Sequence, residues 1–420
     1  MAKKILITSF MFSPMGGGGV TRVKSLSEYL IRKGWDVTMF TQKASKYNYD
    51  YYDSKNKIHP ELKIVTPYGK DEDRNLSKIS KQKRFYSNSP VSASTKLKGF
   101  IKEALKKTIL ILLPDTAIDF LIKGTFWAYK TDQKYDVVLA SVRPPSNAVV
   151  AYFYSVFKNK PLVVEYRDLW FGQEFHNDTR WYKFLNKIYE YKILKRADKI
   201  VCLSPGYIEI LKNRYPRLSQ KMVLITNGFT NEYFEASKSK IDFKKKNPAK
   251  ISLAHFGRFY GPRKIDSVVN NLEKIQDKIE LYHFGPNIEN SNCDLDELTF
   301  FYQEGYLSFN ESWALQQAEA VDILLLIEFT SDNLPGKIFE YYASRKPVIV
   351  ICPADSVMRS TFANIPDFYF IESGKEERIL KIIDNLELKD SRKRNIDLQD
   401  DEFFRDNIYK KYSEIFDNLT

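Results

Sequence analysis

The chain opens with an apolar run, KKILITSFMF, and after Ser13, Pro14 and Met15 come four glycines, Gly16–Gly19. Apolar residues then recur at Val20, Val23, Leu26, Tyr29 and Leu30. This combination limits the fold more than any other feature. A run that is apolar on both faces is a strand buried inside a sheet. Spacing of three and four residues is one face of a helix, and Gly34 is a natural stop. The next run, WDVTMFT, reads as a second strand. Strand, glycine loop, helix, strand is a βαβ unit, and its crossover demands a parallel sheet.

The pattern recurs. YDVVLASV, PLVVEYRDLW, ADKIVCLS and MVLITNGF continue a first set of strands; KISLAHFGRF, IELYHFGP, VDILLLIEF and KPVIVICP form a second. A length of 420 residues exceeds one ordinary core. The reading is an α/β chain of two Rossmann-like domains, 1–236 and 251–395. Residues 237–250 (SKSKIDFKKKNPAK) form a charged linker broken by Pro248. A C-terminal amphipathic helix lies in 396–420, with Phe404, Ile408, Tyr412, Ile415 and Phe416 on one face, expected to pack back on the first domain. Ligands of such sheets bind at the carboxyl ends of the strands, here expected in a cleft between the two halves.

Three scattered cysteines and four histidines suggest neither a disulfide framework nor a metal centre. No signal peptide or membrane-spanning run is legible, which predicts a cytoplasmic protein. The net charge of +12 makes an anionic partner plausible, but no nucleic-acid motif accompanies it. Behind the first strand, Gly16, Gly17, Gly18 and Gly19 can be a joint or a cradle for an anion. Their place before a helix favours the cradle. The spacing is not the dinucleotide fingerprint.

Taken in order, these segments resemble the GT-B glycosyltransferases, specifically retaining family 4. The resemblance covers nearly the whole chain. It implies that Gly16–Gly19 approach the diphosphate of a nucleotide-sugar donor. LPDTAIDF, the RPPSN turn and YRDLW resemble a subgroup in which Arg167 and Asp168 face the reacting sugar or the acceptor; Asp168 would orient or deprotonate an acceptor hydroxyl. HFGRFYGPRKID matches the family's Gly-Arg…Lys signature. It assigns Arg258, with Lys264 or Arg263, to the two phosphates, where cations stabilise the departing charge. In FTSDNLPGKIFEYYASRKPVIV, Glu340 matches the acid that accepts both ribose hydroxyls. Asp332 stands where the family has its first acid, and this shorter arm departs from the pattern. Asn333, Leu334, Pro335, Gly336 and Lys337 would bring backbone amides to phosphate and sugar at a helix start.

The resemblance thus implies transfer from a nucleotide-diphosphate sugar, of UDP or GDP type, to a hydroxyl of a glycan or lipid-linked acceptor, with retention. No metal and no further cofactor are expected. The setting would be surface-polysaccharide biosynthesis, capsule or lipopolysaccharide. A sugar-nucleotide 2-epimerase and a non-catalytic binding protein of the same fold are the alternatives. Residues 96–113 (KLKGFIKEALKKTILILL) place apolar residues at helical spacing between lysines, which suggests peripheral contact with the inner face of a membrane. No nucleic-acid partner is expected.

Overall fold

The computed structural model describes residues 2–44, 58–69, 114–115, 117–172, 180–239, 241–259, 265–288, 291–386 and 400–420. Arg263, Lys264 and the segment 96–113 therefore lie outside the described residues. The chain divides into two units. One holds Met1–Leu203, Tyr207–Ile225 and Tyr409–Thr420; the other holds Ser204–Gly206 and Thr226–Ile408.

The first unit is built on seven strands: β1 (Lys4–Thr8), β2 (Asp36–Phe40), β3 (Lys63–Val65), β4 (Val137–Val142), β5 (Leu162–Tyr166), β6 (Lys199–Cys202) and β7 (Met222–Leu224). All pair in parallel, in the order β3-β2-β1-β4-β5-β6-β7. β4 is buried at every position, as a central strand covered on both faces must be. The order reverses between β1 and β4, so the loops after these two strands diverge and leave a crevice. The first helix, Gly18–Arg32, begins two residues before Val20, so the last two glycines belong to its first turn.

The second unit repeats the plan with β8 (Ile251–Phe256), β9 (Ile279–Phe284), β10 (Phe301–Gln303), β11 (Ile323–Ile327), β12 (Val348–Cys352) and β13 (Phe368–Glu372). The order is β10-β9-β8-β11-β12-β13, again all parallel. Its switch point lies between β8 and β11. The residues 237–250, chosen as linker from their polarity, fall inside this unit: Ile241 and Phe243 pack against its core. Polar composition marked the exposed side of the segment and hid its two anchors.

The C-terminal helix runs Arg405–Leu419. Tyr409, Tyr412 and Phe416 are fully buried, and Tyr409–Thr420 belong to the first unit.

Candidate functional site

At the switch point of the second unit, β8 leads through Gly257 to Arg258. Gly257 has φ +123°, a conformation that L side chains rarely adopt. A Cβ on Gly257 would lie 2.0 Å from Lys337 Nζ, so the lysine crosses this strand end where only a glycine leaves room. A Cβ on Gly285, just past β9, would lie 1.9 Å from the Gly257 carbonyl oxygen. The absence of two side chains thus brings the ends of β8 and β9 together under Lys337. Arg258 is exposed directly beyond. Among the predicted site residues here, the structure brings Lys337 to the strand end that carries Arg258.

β11 supplies the other wall. Glu328 follows it and is buried. Its Oε1 accepts from the N–H groups of Phe329 (3.0 Å) and Thr330 (3.4 Å), and its Oε2 from Asn333 Nδ2 (2.9 Å). One carboxylate thereby folds the loop 328–333. Asn333, a predicted ligand, spends its side-chain amide inside this loop. Asp332 is half-buried, and its carbonyl accepts from Ser204 Oγ. Gly206 is pressed against the Asp332 backbone, with a Cβ there only 2.5 Å from Asp332 Cα.

Pro335 then starts the helix Gly336–Ser344, whose first N–H groups have no side-chain cap. Uncapped amides at a helix start carry partial positive charge. The helix is seated by Tyr341. Its hydroxyl accepts from Phe256 N–H in β8 (3.3 Å) and lies 3.5 Å from Leu325 O in β11, astride the switch point. This fixes the neighbouring Glu340. Burial pushes the Glu340 carboxyl above the ordinary carboxylate value, against the pull of Trp313, Arg405, Lys337 and Gln316. Trp313 is buried beside it. Arg405 is anchored by donating from Nε to Gly228 O at 2.8 Å. Sequence reasoning missed Glu328, Trp313 and Arg405. Glu328 carried a local signal, an acid directly behind an apolar run; the other two lie far from Glu340 along the chain and carried none.

Two histidines sit one behind the other below Gly257. His255 and His283 are register partners on β8 and β9, with Nδ1 atoms 3.1 Å apart, and His283 Nε2 lies 2.9 Å from Pro286 O. If Nε2–H donates to that carbonyl, Nδ1 of His283 is left to accept from His255. Burial, aided by the charge of Lys337, holds His283 below the ordinary histidine value, so it is neutral at neutral pH.

In the first unit, Gly17 caps the helix Gly18–Arg32 at φ +121°, and no side chain caps the helix start. The four glycines differ. Gly16 is buried, Gly17 and Gly18 are exposed, and nothing lies within 4 Å of a Cβ on either of the latter two. A Cβ on Gly19 would lie 2.1 Å from Arg167 Nη1. Arg167 donates from Nε to Val142 O (3.3 Å) and from Nη2 to Arg143 O. Its guanidinium therefore ties the glycine turn to the ends of β4 and β5. Burial lowers its pKa from the ordinary arginine value, and Glu165 and Asp168 oppose this. Asp168 is exposed. Asp115 accepts from the N–H groups of Ala117 and Ser146, and so caps the helix Ser146–Lys158.

Behind this loop lies a group that no spacing announced. Arg22 is buried and donates from Nε to Glu165 Oε2 (3.0 Å) and from Nη2 to Ile225 O (3.1 Å) and Tyr412 OH (3.0 Å). Tyr412 donates to Glu165 Oε2, and Ser141 Oγ to Glu165 Oε1 (2.7 Å). Burial would lift the Glu165 carboxyl, but Arg22 and these hydroxyls bring it below its ordinary value.

Residues 101–232 match the sequence profile of Glycosyltransferase Family 4. No curated protein sequence matches the chain. Among solved structures it is similar to a sucrose-phosphate synthase from Thermosynechococcus elongatus (16% identity, TM-score 0.65, 99% of each chain covered). It is also similar to HepE from Anabaena in complex with UDP (13% identity, TM-score 0.59, 99% of this chain and 100% of that one). A third is the lipopolysaccharide outer core galactosyltransferase WaaB in its apo form (14%, 0.53, 99% and 100%). At these identities the likeness is one of fold, and it spans both units.

Proposed function

From the premise that this chain carries a Glycosyltransferase Family 4 segment on the GT-B fold, we propose that the second unit binds a nucleotide-diphosphate sugar and that the protein transfers the sugar to a hydroxyl. One observation carries the reading. The switch point of the second sheet gathers an exposed arginine, a lysine laid over a glycine, an uncapped helix start and a desolvated carboxyl, Glu340. The cations and the helix-start N–H groups suit a diphosphate as donors, and the carboxylate suits a vicinal diol as acceptor.

In this reading Arg258 and Lys337, with Arg263 and Lys264 from the sequence signature, neutralise the leaving diphosphate without a metal. Glu340 accepts the two ribose hydroxyls. Asp332 reaches toward the donor sugar, and Leu334, Gly336 and Lys337 offer backbone N–H groups. Asp168 orients the acceptor hydroxyl, while Arg167 holds Gly16–Gly19 in place as a positioning residue. Attack on the face from which the phosphate departs gives retention. The acceptor is a glycan or lipid-linked saccharide of a surface polysaccharide, and UDP, the ligand named for HepE, is the favoured carrier.

The test is calorimetric titration of UDP, GDP and their sugars against the protein and against Glu340→Gln and Arg258→Ala. Micromolar UDP or GDP binding that weakens at least about tenfold in each variant is expected, since a hydrogen bond to a charged group is worth roughly 1.5–3 kcal/mol. Binding unchanged in both variants refutes the site. Epimerised nucleotide sugar formed without acceptor refutes transfer.

A further inference from the structure

Three helices lie side by side in the first unit: Ile118–Lys130, Ser146–Lys158 and Arg180–Arg196. Each has a buried inner face. Phe120, Gly124 and Ala128 are the buried set of the first, and Asn186, Glu190, Ile193 and Leu194 of the third. The opposite faces are not polar. Ile122, Phe126 (62% exposed) and Tyr129 line the outer side of the first helix. Val156 and Phe157 continue it on the second. Trp181 (67% exposed), Phe184, Ile188 and Tyr191 form a stripe along the third, at spacings of three and four. Among the described residues eleven large apolar side chains are exposed, and nine of them lie on these three helices. Scattered apolar exposure is ordinary; this concentration is not.

The charges on the same helices choose the occupant. They carry nine basic residues and two acids. One acid, Glu190, is buried against Arg214 (2.8 Å); the other, Asp119, pairs with Lys123 (3.2 Å). Lys183, Lys187, Lys192 and Lys195 are exposed beside the aromatic stripe. Aromatic rings that face outward among long lysines fit an anionic lipid surface: the rings enter the headgroup boundary and the ammonium groups reach phosphates. An apolar protein partner would leave these lysines unanswered.

We propose that the outer face of these three helices docks the first unit on an anionic membrane. The surface differs from residues 96–113, and it does not depend on the donor site. The test is co-sedimentation of the full chain with phosphatidylglycerol vesicles and with phosphatidylcholine vesicles. Binding to the anionic vesicles that falls with salt is expected, with little binding to the neutral ones. Lys183→Glu with Lys187→Glu changes the charge by four. At about fivefold per charge near the surface, the partition should fall on the order of a hundredfold or more. Phe126→Ser with Trp181→Ser and Phe184→Ser should abolish binding while circular dichroism and Tm stay as in the parent. Absence of binding to anionic vesicles overturns the proposal, as does binding by both variants that equals the parent's. Self-association in sedimentation velocity that the serine variant abolishes would assign the face to a second copy instead.

Discussion

Replacing Arg22 by methionine tests the buried network of the first unit. The side chains of Arg22 and Glu165 are each 1% exposed, so neither charge has water to fall back on. Without Arg22, the Glu165 carboxylate keeps two hydroxyl donors, Ser141 and Tyr412, and no cation at bonding distance. An uncompensated buried charge of this kind costs roughly 3–5 kcal/mol. That is a large share of the roughly 5–15 kcal/mol by which a domain is stable. Removing both partners, as Arg22→Met with Glu165→Leu, should recover most of the loss, because no charge is then stranded. The pH dependence has a defined sign. In the parent, the Glu165 pKa is depressed, so its stabilisation is present above the ordinary carboxylate value and is lost as pH falls through the folded value. In Arg22→Met, burial loses its largest opponent; Tyr412, Ser141 and the charge of Arg167 still favour the carboxylate, and the pKa rises from the parent's. The penalty is then fully felt at neutral pH and shrinks as pH falls toward the raised value. The gap between parent and variant should therefore narrow between pH 7 and pH 5. Urea unfolding at both pH values measures it, with hydrogen exchange in the helix Gly18–Arg32 to assign the transition to the first unit. A loss below about 1 kcal/mol at pH 7, or a double variant no better than the single one, refutes the reasoning.

Three further outcomes are expected. Gly19→Ala must displace the Arg167 guanidinium, whereas Gly18→Ala meets nothing; the first should slow donor turnover roughly tenfold or more through a lost charged hydrogen bond, and the second should leave packing intact. Equal turnover in the two would separate Arg167 from the loop's role. UDP affinity should fall as pH drops through the raised Glu340 pKa, because only the carboxylate accepts both ribose hydroxyls, and Glu340→Gln should flatten this dependence; an unchanged slope in calorimetric titrations from pH 7 to pH 5 counts against the role. Gly285→Ala drives a methyl onto the Gly257 carbonyl. It should cost about 1–3 kcal/mol in thermal or urea melts and weaken UDP binding. Parent-like values for both would show that the strand ends can part freely.

Much of this protein follows from its sequence because periodicity is a local property. Runs such as VVLASV and ILLLI could only be strands covered on both faces, and the alternation with helical segments demanded parallel sheets in two units. Glycine after strand, and proline and glycine before helix, marked the turns at which Gly257, Gly336 and the first glycine loop stand. Glu340 and Lys337 were named through the family resemblance, and the structure places both on the helix Gly336–Ser344.

Other features depended on which strands become neighbours, and no window of sequence reports that. Sheet order places β8 beside β11, and only then do Lys337, Gly257 and Glu328 become parts of one crevice. The four glycines looked equivalent in a row; the fold gives Gly19 to Arg167 and leaves Gly18 open. Ile241 and Phe243 looked like linker until a core closed over them. Arg22 lies on the first amphipathic helix, and its partners Glu165 and Tyr412 stand more than a hundred positions away. Hydrophobic patterning records whether a residue is buried, whereas a buried charge survives only through partners that tertiary contact supplies.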